Sequence, residues 1–407
     1  KLFPNGILVE SQGEEAVKET VKYLESKRPV IFQATFISNN FLAKNDVLEY
    51  DNENDCWNLY EIKGTNTLRE NGEDRDHVED AAFQYVVLHD CGIKIGRVNI
   101  IHLNKDYIRG DDINIHELFV IDDITDKIIE REISTREKMN NAVIALFQDD
   151  EKAIECSCIY HGRSNHCSTF HYSHPEVPEY SIHDLSRIGL SKKKLIDLVD
   201  SGILDISDIP DEYKLSDIQR NQVNVHKSQI PIIDNISIKA ELESMSYPLY
   251  FLDYETYPPA IPLFKGFKPY QHIPFQFSLH VLNSSDGDLE HHEYIHTDNS
   301  DPTKGIIDAL RKTIGPEGNI VVWNKTFEQG RNSEMAERSP EDKEFLADIN
   351  NRVYDLMDIF QKQFHVHPGF KGKVYIKKVL PVLVPSLSYQ ELEIQEGGSA
   401  MEAWFEK

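Results

Sequence analysis

The chain has 407 residues, 40% apolar and 28% charged, with a formal net charge of −26. That is an ordinary globular composition for two or three domains, and its acidity excludes a protein that coats nucleic acid through a general positive field. No apolar run reaches the length of a membrane-spanning helix, and the opening KLFPNGILVE is too short and too polar for a signal peptide.

Segment 11–27 carries helical spacing at Ala16, Val17, Thr20, Tyr23 and Leu24. PVIFQATF, DVLEY and WNLYEIKG then read as strands. DHVEDAAFQYVVLHDCGI reads as a helix that Gly92 ends, VNIIHLN as a buried strand, and 131–152 as helix again. Residues 1–152 are therefore expected to be an α/β region, with a meandering sheet and flanking helices. Residues 153–180 are rich in Cys, His, Ser and Pro and lack periodicity, a metal-binding loop composition. Residues 181–240 return to short helices. Residues 241–407 form a second α/β region, with strands at PLYFLDYETY, FQFSLHVL, HHEYIH and NIVVWN and a helix over 304–313. The chain starts at Lys1 rather than Met, and AMEAWFEK reads as mid-helix, so a fragment incomplete at both ends is expected.

Three constellations carry chemistry. Asp46 precedes one strand, and Glu61 and Lys63 lie on the next, where residues i and i+2 share a face. Brought together, the two carboxylates offer oxygen ligands to Mg²⁺ or Mn²⁺. The lysine would orient an attacking water or steady charge on a phosphate in its transition state. A solvated strand face gives Glu-x-Lys often; the order helix, Asp, Glu-x-Lys, helix is what carries weight. This order resembles the PD-(D/E)XK nucleases, and within them the RecB-like branch. The resemblance implies Glu14 or Glu15 as the acidic helix residue and Gln84 as the glutamine motif of the following helix. Leu88 stands where that branch usually has tyrosine.

Cys156, Cys158 and Cys167 cluster in ECSCIYHGRSNHC, while Cys56 and Cys91 sit in or beside core elements. An odd count with three clustered fits a reducing cytoplasm and one metal site better than a disulfide framework. Close thiolates suit Zn²⁺ or an iron–sulfur cluster. His161, His166, His171 or His174 would complete a zinc site, or the fourth ligand comes from far away. RecB-like nucleases of the AddB type, and those of CRISPR adaptation, place three cysteines after the core and one before it around a [4Fe–4S] cluster. That resemblance implies an upstream cysteine preceding Lys1.

In YFLDYETY, Asp253 and Glu255 share one face of a strand whose other positions are apolar, a costly arrangement unless they bind cations or hydrogen bonds. Glu328 follows in VVWNKTFEQ at a helix entry, where a plain helix cap is the bland reading. Asp355 and Asp358 follow in VYDLMDIF. The succession resembles the DEDD (DnaQ-like) exonucleases on an RNase H-like fold, in which four carboxylates hold two cations. Glu328 stands where that family usually has Asp, and its final Tyr or His…Asp motif would fall after residue 407.

Over essentially the whole chain, KLFPNGILVE, the linker VPEYSIHDLSRIGLSKKKLIDLVDSGILDISDIP and the stretch GFKGKVYIKKVLPVLVPSLSYQELEIQEGGSAMEAW are similar to the bacterial family known as domain of unknown function 2779. The resemblance implies a RecB-like core over 1–152, a Cys-rich segment over 153–180, a helix-hairpin-helix-like linker over 181–240 and an RNase H-like domain over 241–407. Lys192, Lys193 and Lys194 in the linker, and Lys377 and Lys378 beside the second acid group, are candidate phosphate contacts; a solvated basic turn is the competing reading. Phe267, Tyr270, Phe275 and Phe277 are expected in the core rather than as stacking platforms. The sequence thus points to a cytoplasmic metal-dependent DNA nuclease, in repair or in defence against foreign DNA. Its rivals are a non-catalytic nucleic-acid-binding scaffold with decayed nuclease folds and a zinc-stabilised interaction protein.

Overall fold

The computed structural model describes residues 2–70, 76–147, 156–387 and 397–406. The helix end expected at 148–152, the start of the Cys-rich segment at 153–155 and the stretch 388–396 lie outside them. The chain divides into two compact units, Lys1–Asp150 with Pro258–Gln271, and Glu151–Tyr257 with His272–Lys407. The Cys-rich segment and the helical linker thus group with the second α/β region. Pro258–Gln271, read from sequence as part of that region, packs in the first unit instead.

The first unit is built on a six-stranded sheet whose spatial order follows the chain: β1 (Ile7–Leu8), β2 (Val30–Ser38), β3 (Phe41–Asp51), β4 (Cys56–Ile62), β5 (Ile95–Leu103) and β6 (Phe119–Asp123). β2, β3 and β4 are antiparallel neighbours, and β5 runs parallel to β4 after a helical crossover. Helices α1 (Gly13–Glu25), α2 (His77–Asp90) and α3 (Thr125–Leu146) flank the sheet. α2 starts where Asp76 accepts bonds from the backbone N–H groups of Val78 and Glu79, an N-cap that satisfies two orphan donors. It buries Val78, Ala81, Ala82, Val87 and Leu88 against Ile31, Leu48, Leu59 and Ile100. Asp46 does not precede its strand. β3 starts five residues earlier, at Phe41, because Phe41–Asn45 already pairs with Ala34–Ser38 of β2. Within the excursion Pro258–Gln271, Phe267 is buried, and Arg109 donates to the Pro262 carbonyl at 2.6 Å.

The second unit holds a five-stranded sheet formed by β7 (Leu249–Tyr257), β8 (Ile273–Leu282), β9 (Leu289–Ile295), β10 (Asn319–Val322) and β11 (Val353–Asp355), in the order β9-β8-β7-β10-β11. β7 is central, antiparallel to β8 and parallel to β10. Period-two alternation sends Tyr250, Leu252 and Tyr254 into a core shared with Leu279 and Ile320 and with Ile306, Ile307 and Leu310 of α6 (Thr303–Thr313). Phe251, Asp253 and Glu255 therefore face the other way. In chain order, α7 (Lys325–Arg338) and α8 (Lys343–Asn351) lie between β10 and β11. The linker contributes α4 (Lys192–Asp200) and α5 (Asp217–Ser228) around a small core of Ile182, Leu185, Leu198 and Val223. Among the described residues no helix is long and apolar enough to cross a membrane.

Candidate active sites and a thiol cluster

In the first unit the middle of β3, the end of β4 and α2 bring Asp46, Glu61, Lys63 and Gln84 together. Asp46 sits on β3 one step from the Val47–Tyr60 pair, so its carboxylate lies against β4. One oxygen accepts from the Ile62 backbone N–H at 2.8 Å, the other from Gln33 Nε2 at 3.0 Å. Gln33 holds a left-handed backbone at φ +57°, a conformation uncommon outside glycine, and this turns its amide toward Asp46. Glu61 is 7% exposed and accepts two bonds, from Gln84 Nε2 at 2.6 Å and from Lys63 Nζ at 2.9 Å. Gln84 is itself oriented by Asn45, whose Nδ2 donates to its Oε1 at 2.6 Å.

Burial raises the Glu61 carboxyl above its ordinary value, and the neighbouring Asp46 charge adds to this against the pull of Lys63 and Gln84. Burial works against the Lys63 charge, but the Asp80 and Glu61 carboxylates outweigh it and hold the ammonium above its usual range. Glu14 and Glu15 are exposed on α1, with Glu15 paired to Lys18 at 2.6 Å. Asp80, which the sequence reading left out, ion-pairs with Lys63. Its signal was present: Asp80 lies four residues before Gln84, on the same helix face.

In the second unit Asp253 and Glu255 of β7 and Asp355, at the end of β11, all bear electrostatically on Glu328. Glu328 is 3% exposed on the first turn of α7, and its Oε2 has no hydrogen-bond partner among the described residues. Burial, and then the charge of Asp253, push its carboxyl up to about 9; Arg331 opposes, and Glu255 and Asp355 add. The tip of Asp253 reaches solvent, yet the low-dielectric strand face beneath it raises its carboxyl too. Glu255 is raised by burial and by Asp253, with Lys377 opposing. Asp355 is committed differently: it accepts from the backbone N–H groups of Asn324, Lys325 and Met357 at 2.9–3.1 Å, tying β11 to the start of α7. A cavity of about 300 Å³ opens beside Asp253, lined by Phe251, Ser278, His280, Trp323 and Ile376. Lys377 and Lys378 follow Ile376 on α9 (Ile376–Leu383). Near Glu255, a Cβ added at Gly397 of α10 (Gly397–Phe405) would come within 3.1 Å of its carboxylate.

The ligand atoms of Cys156, Cys158 and Cys167 lie within 4.8 Å of one another, close enough to hold a metal ion. Hydrogen bonds from Thr169 and then Cys158 draw the Cys167 thiol down to about 7, whereas burial pushes Cys158 up to about 11. No histidine joins this group among the described residues. Two of the expected candidates are spent on carbonyls: His174 contacts the Cys156 carbonyl at 2.8 Å and Glu176 at 3.0 Å, and His166 contacts the His161 carbonyl at 3.0 Å. Cys56 is buried and Cys91 exposed, both in the first unit. Lys192 and Lys193 are exposed at the start of α4, and Lys194 donates to Gln219 at 3.3 Å. Phe267, Phe275 and Phe277 are buried, as core residues should be, and Tyr270 donates its hydroxyl to the Gly64 carbonyl at 2.5 Å.

Residues 250–374 match the family described as Domain of unknown function (DUF2779). The chain is 37% identical over 115 residues to "Uncharacterized protein UU173" of Ureaplasma parvum, covering 24% of this chain and 16% of that protein. It is 31% identical over 173 residues to "Uncharacterized protein MG366 homolog" of Mycoplasma pneumoniae, covering 37% and 26%. It is 30% identical over 172 residues to "Uncharacterized protein MG366" of Mycoplasma genitalium, covering 37% and 25%. The match spans about a quarter or less of each relative's length. No solved structure matches the chain significantly.

Proposed function

We propose that this chain is a divalent-cation-dependent nuclease that hydrolyses phosphodiester bonds in DNA. The observation that carries the reading is the clustering of Asp46, Glu61, Lys63 and Gln84, with the buried Glu61 carboxyl bonded to Lys63 and Gln84 and under the charge of Asp46. Two adjacent acids tolerate that proximity when a cation sits between them. The antiparallel β2-β3-β4 followed by α2 and a parallel β5 agrees with a RecB-like core. The order β9-β8-β7-β10-β11 around the Asp253 strand agrees with an RNase H-like domain.

Asp46 and Glu61 would hold Mg²⁺ or Mn²⁺, which when bound supplies positive charge against the phosphate and a more acidic water. Lys63 places its ammonium against the charge that develops on the phosphate oxygens. Gln84 and Asn45 lock the Glu61 carboxylate in one rotamer, so no reorganisation is needed at the moment of reaction. Asp253, Glu255 and Glu328 would form a second cation site; among the described residues Glu328 Oε2 has no hydrogen-bond partner, and a cation would displace the proton its carboxyl holds. The three thiolates fit a structural [4Fe–4S] cluster, or Zn²⁺, whose role is to hold the loops together. Exposed Lys192 and Lys193, together with Lys377 and Lys378, suit phosphate contacts. A cytoplasmic role in DNA repair or in defence against foreign DNA is the setting proposed for this chemistry.

Incubation with labelled single- and double-stranded DNA and RNA, in Mn²⁺ or in EDTA, tests the reading. DNA cleavage that needs Mn²⁺ and is lost in Lys63→Ala is the expected result. Binding of DNA without cleavage in any cation would instead identify a non-catalytic scaffold, and cleavage of RNA alone would overturn the substrate.

A further inference from the structure

Lys63 reaches two carboxylates, and only one belongs to the acid pair described above. Its Nζ donates to Glu61 Oε1 at 2.9 Å and also pairs with Asp80 on α2. The Lys63 side chain is 17% exposed and the Asp80 side chain 47% exposed, so the ammonium lies inward and is gripped from the solvent side. A lysine side chain is flexible, and held at one point by Glu61 alone its ammonium could still pivot about that contact. With Asp80 it is fixed from two elements, the end of β4 and the first turn of α2. The same helix sends Gln84 to the other oxygen of Glu61. One face of α2 therefore aims both the acid and the ammonium.

We propose that Asp80 is a positioning residue, whose carboxylate fixes the Lys63 ammonium in the orientation from which it stabilises the phosphate. The proposal rests on the nuclease reading of this site. Asp80 acts through Lys63, and a Mn²⁺ titration separates this role from that of a cation ligand.

The test compares the whole chain with its Asp80→Ala and Asp80→Glu variants, in steady-state cleavage of labelled DNA, Mn²⁺ titration and thermal melting. Asp80→Ala is expected to lower kcat by about 10- to 100-fold, the scale of a misplaced reacting group. KM, the half-saturating Mn²⁺ concentration and Tm should stay at wild-type values. Asp80→Glu, with its longer arm, should recover most of kcat. Wild-type kcat in Asp80→Ala overturns the proposal. So does a raised Mn²⁺ requirement, which would make Asp80 a ligand, or an equal fall of Tm in both variants, which would make its role structural. Absence of cleavage by the wild type would overturn the nuclease reading itself and this inference with it.

Discussion

Glu328 links the second acid centre to a quantity that can be measured without knowing the substrate. Its carboxyl is 3% exposed, lacks a partner for Oε2 among the described residues, and is pushed up to about 9 by burial and by Asp253, against 4.5 for an ordinary glutamate. Between these two values the folded chain holds a proton that the unfolded chain has lost. The stability from this group is therefore complete below the unfolded value and drains away as pH rises toward the folded one. The slope is about 1.4 kcal/mol per pH unit, so raising the pH from about 5 to about 8 removes roughly 4 kcal/mol. Glu328→Gln keeps the shape and cannot ionise. In EDTA, urea denaturation of both proteins across that range should show the wild type losing stability relative to Glu328→Gln by a few kcal/mol. Added Mn²⁺ should then restore the wild type more than the variant, because a bound cation replaces the proton. Stability curves for the two proteins that run parallel from acid to neutral pH would refute the reasoning.

Two further outcomes follow from the other sites. Gln84→Ala strips Glu61 of a buried donor and Asn45 of its acceptor, and should lower stability by about 1–3 kcal/mol in denaturant titrations. Cys156→Ser and Cys167→Ser should each reduce bound metal, read by elemental analysis and by visible absorption of anaerobic preparations, and lower Tm. A metal content unchanged in both variants would remove the thiol cluster as a binding site.

What was legible in the sequence was periodicity. Glu61 and Lys63 two apart, and Asp253 and Glu255 two apart on an apolar strand, announced shared faces because the strand period is two. The placement of Asp46 inside β3 was not legible, since its contact to the Ile62 N–H of β4 depends on strand register. Asp80 was legible in principle, one helical turn from Gln84, but an acid in the first turn of a helix reads as dipole compensation. The histidines of the Cys-rich segment looked like zinc ligands by type. Two of them, His166 and His174, instead turn Nε2 to carbonyls of a non-periodic loop, whose path no local pattern dictates. Pro258–Gln271 misled for a related reason. Its aromatic Phe267 would bury equally well in either unit, and composition alone cannot choose between two cores.

The most direct measurement is Mn²⁺ binding, by calorimetry and paramagnetic resonance, to the wild type and to Asp46→Asn and Glu61→Gln. The account predicts a site in the wild type that either substitution weakens by about tenfold or more, a loss of ~1.4 kcal/mol. Wild-type binding that is undisturbed in both variants would contradict it.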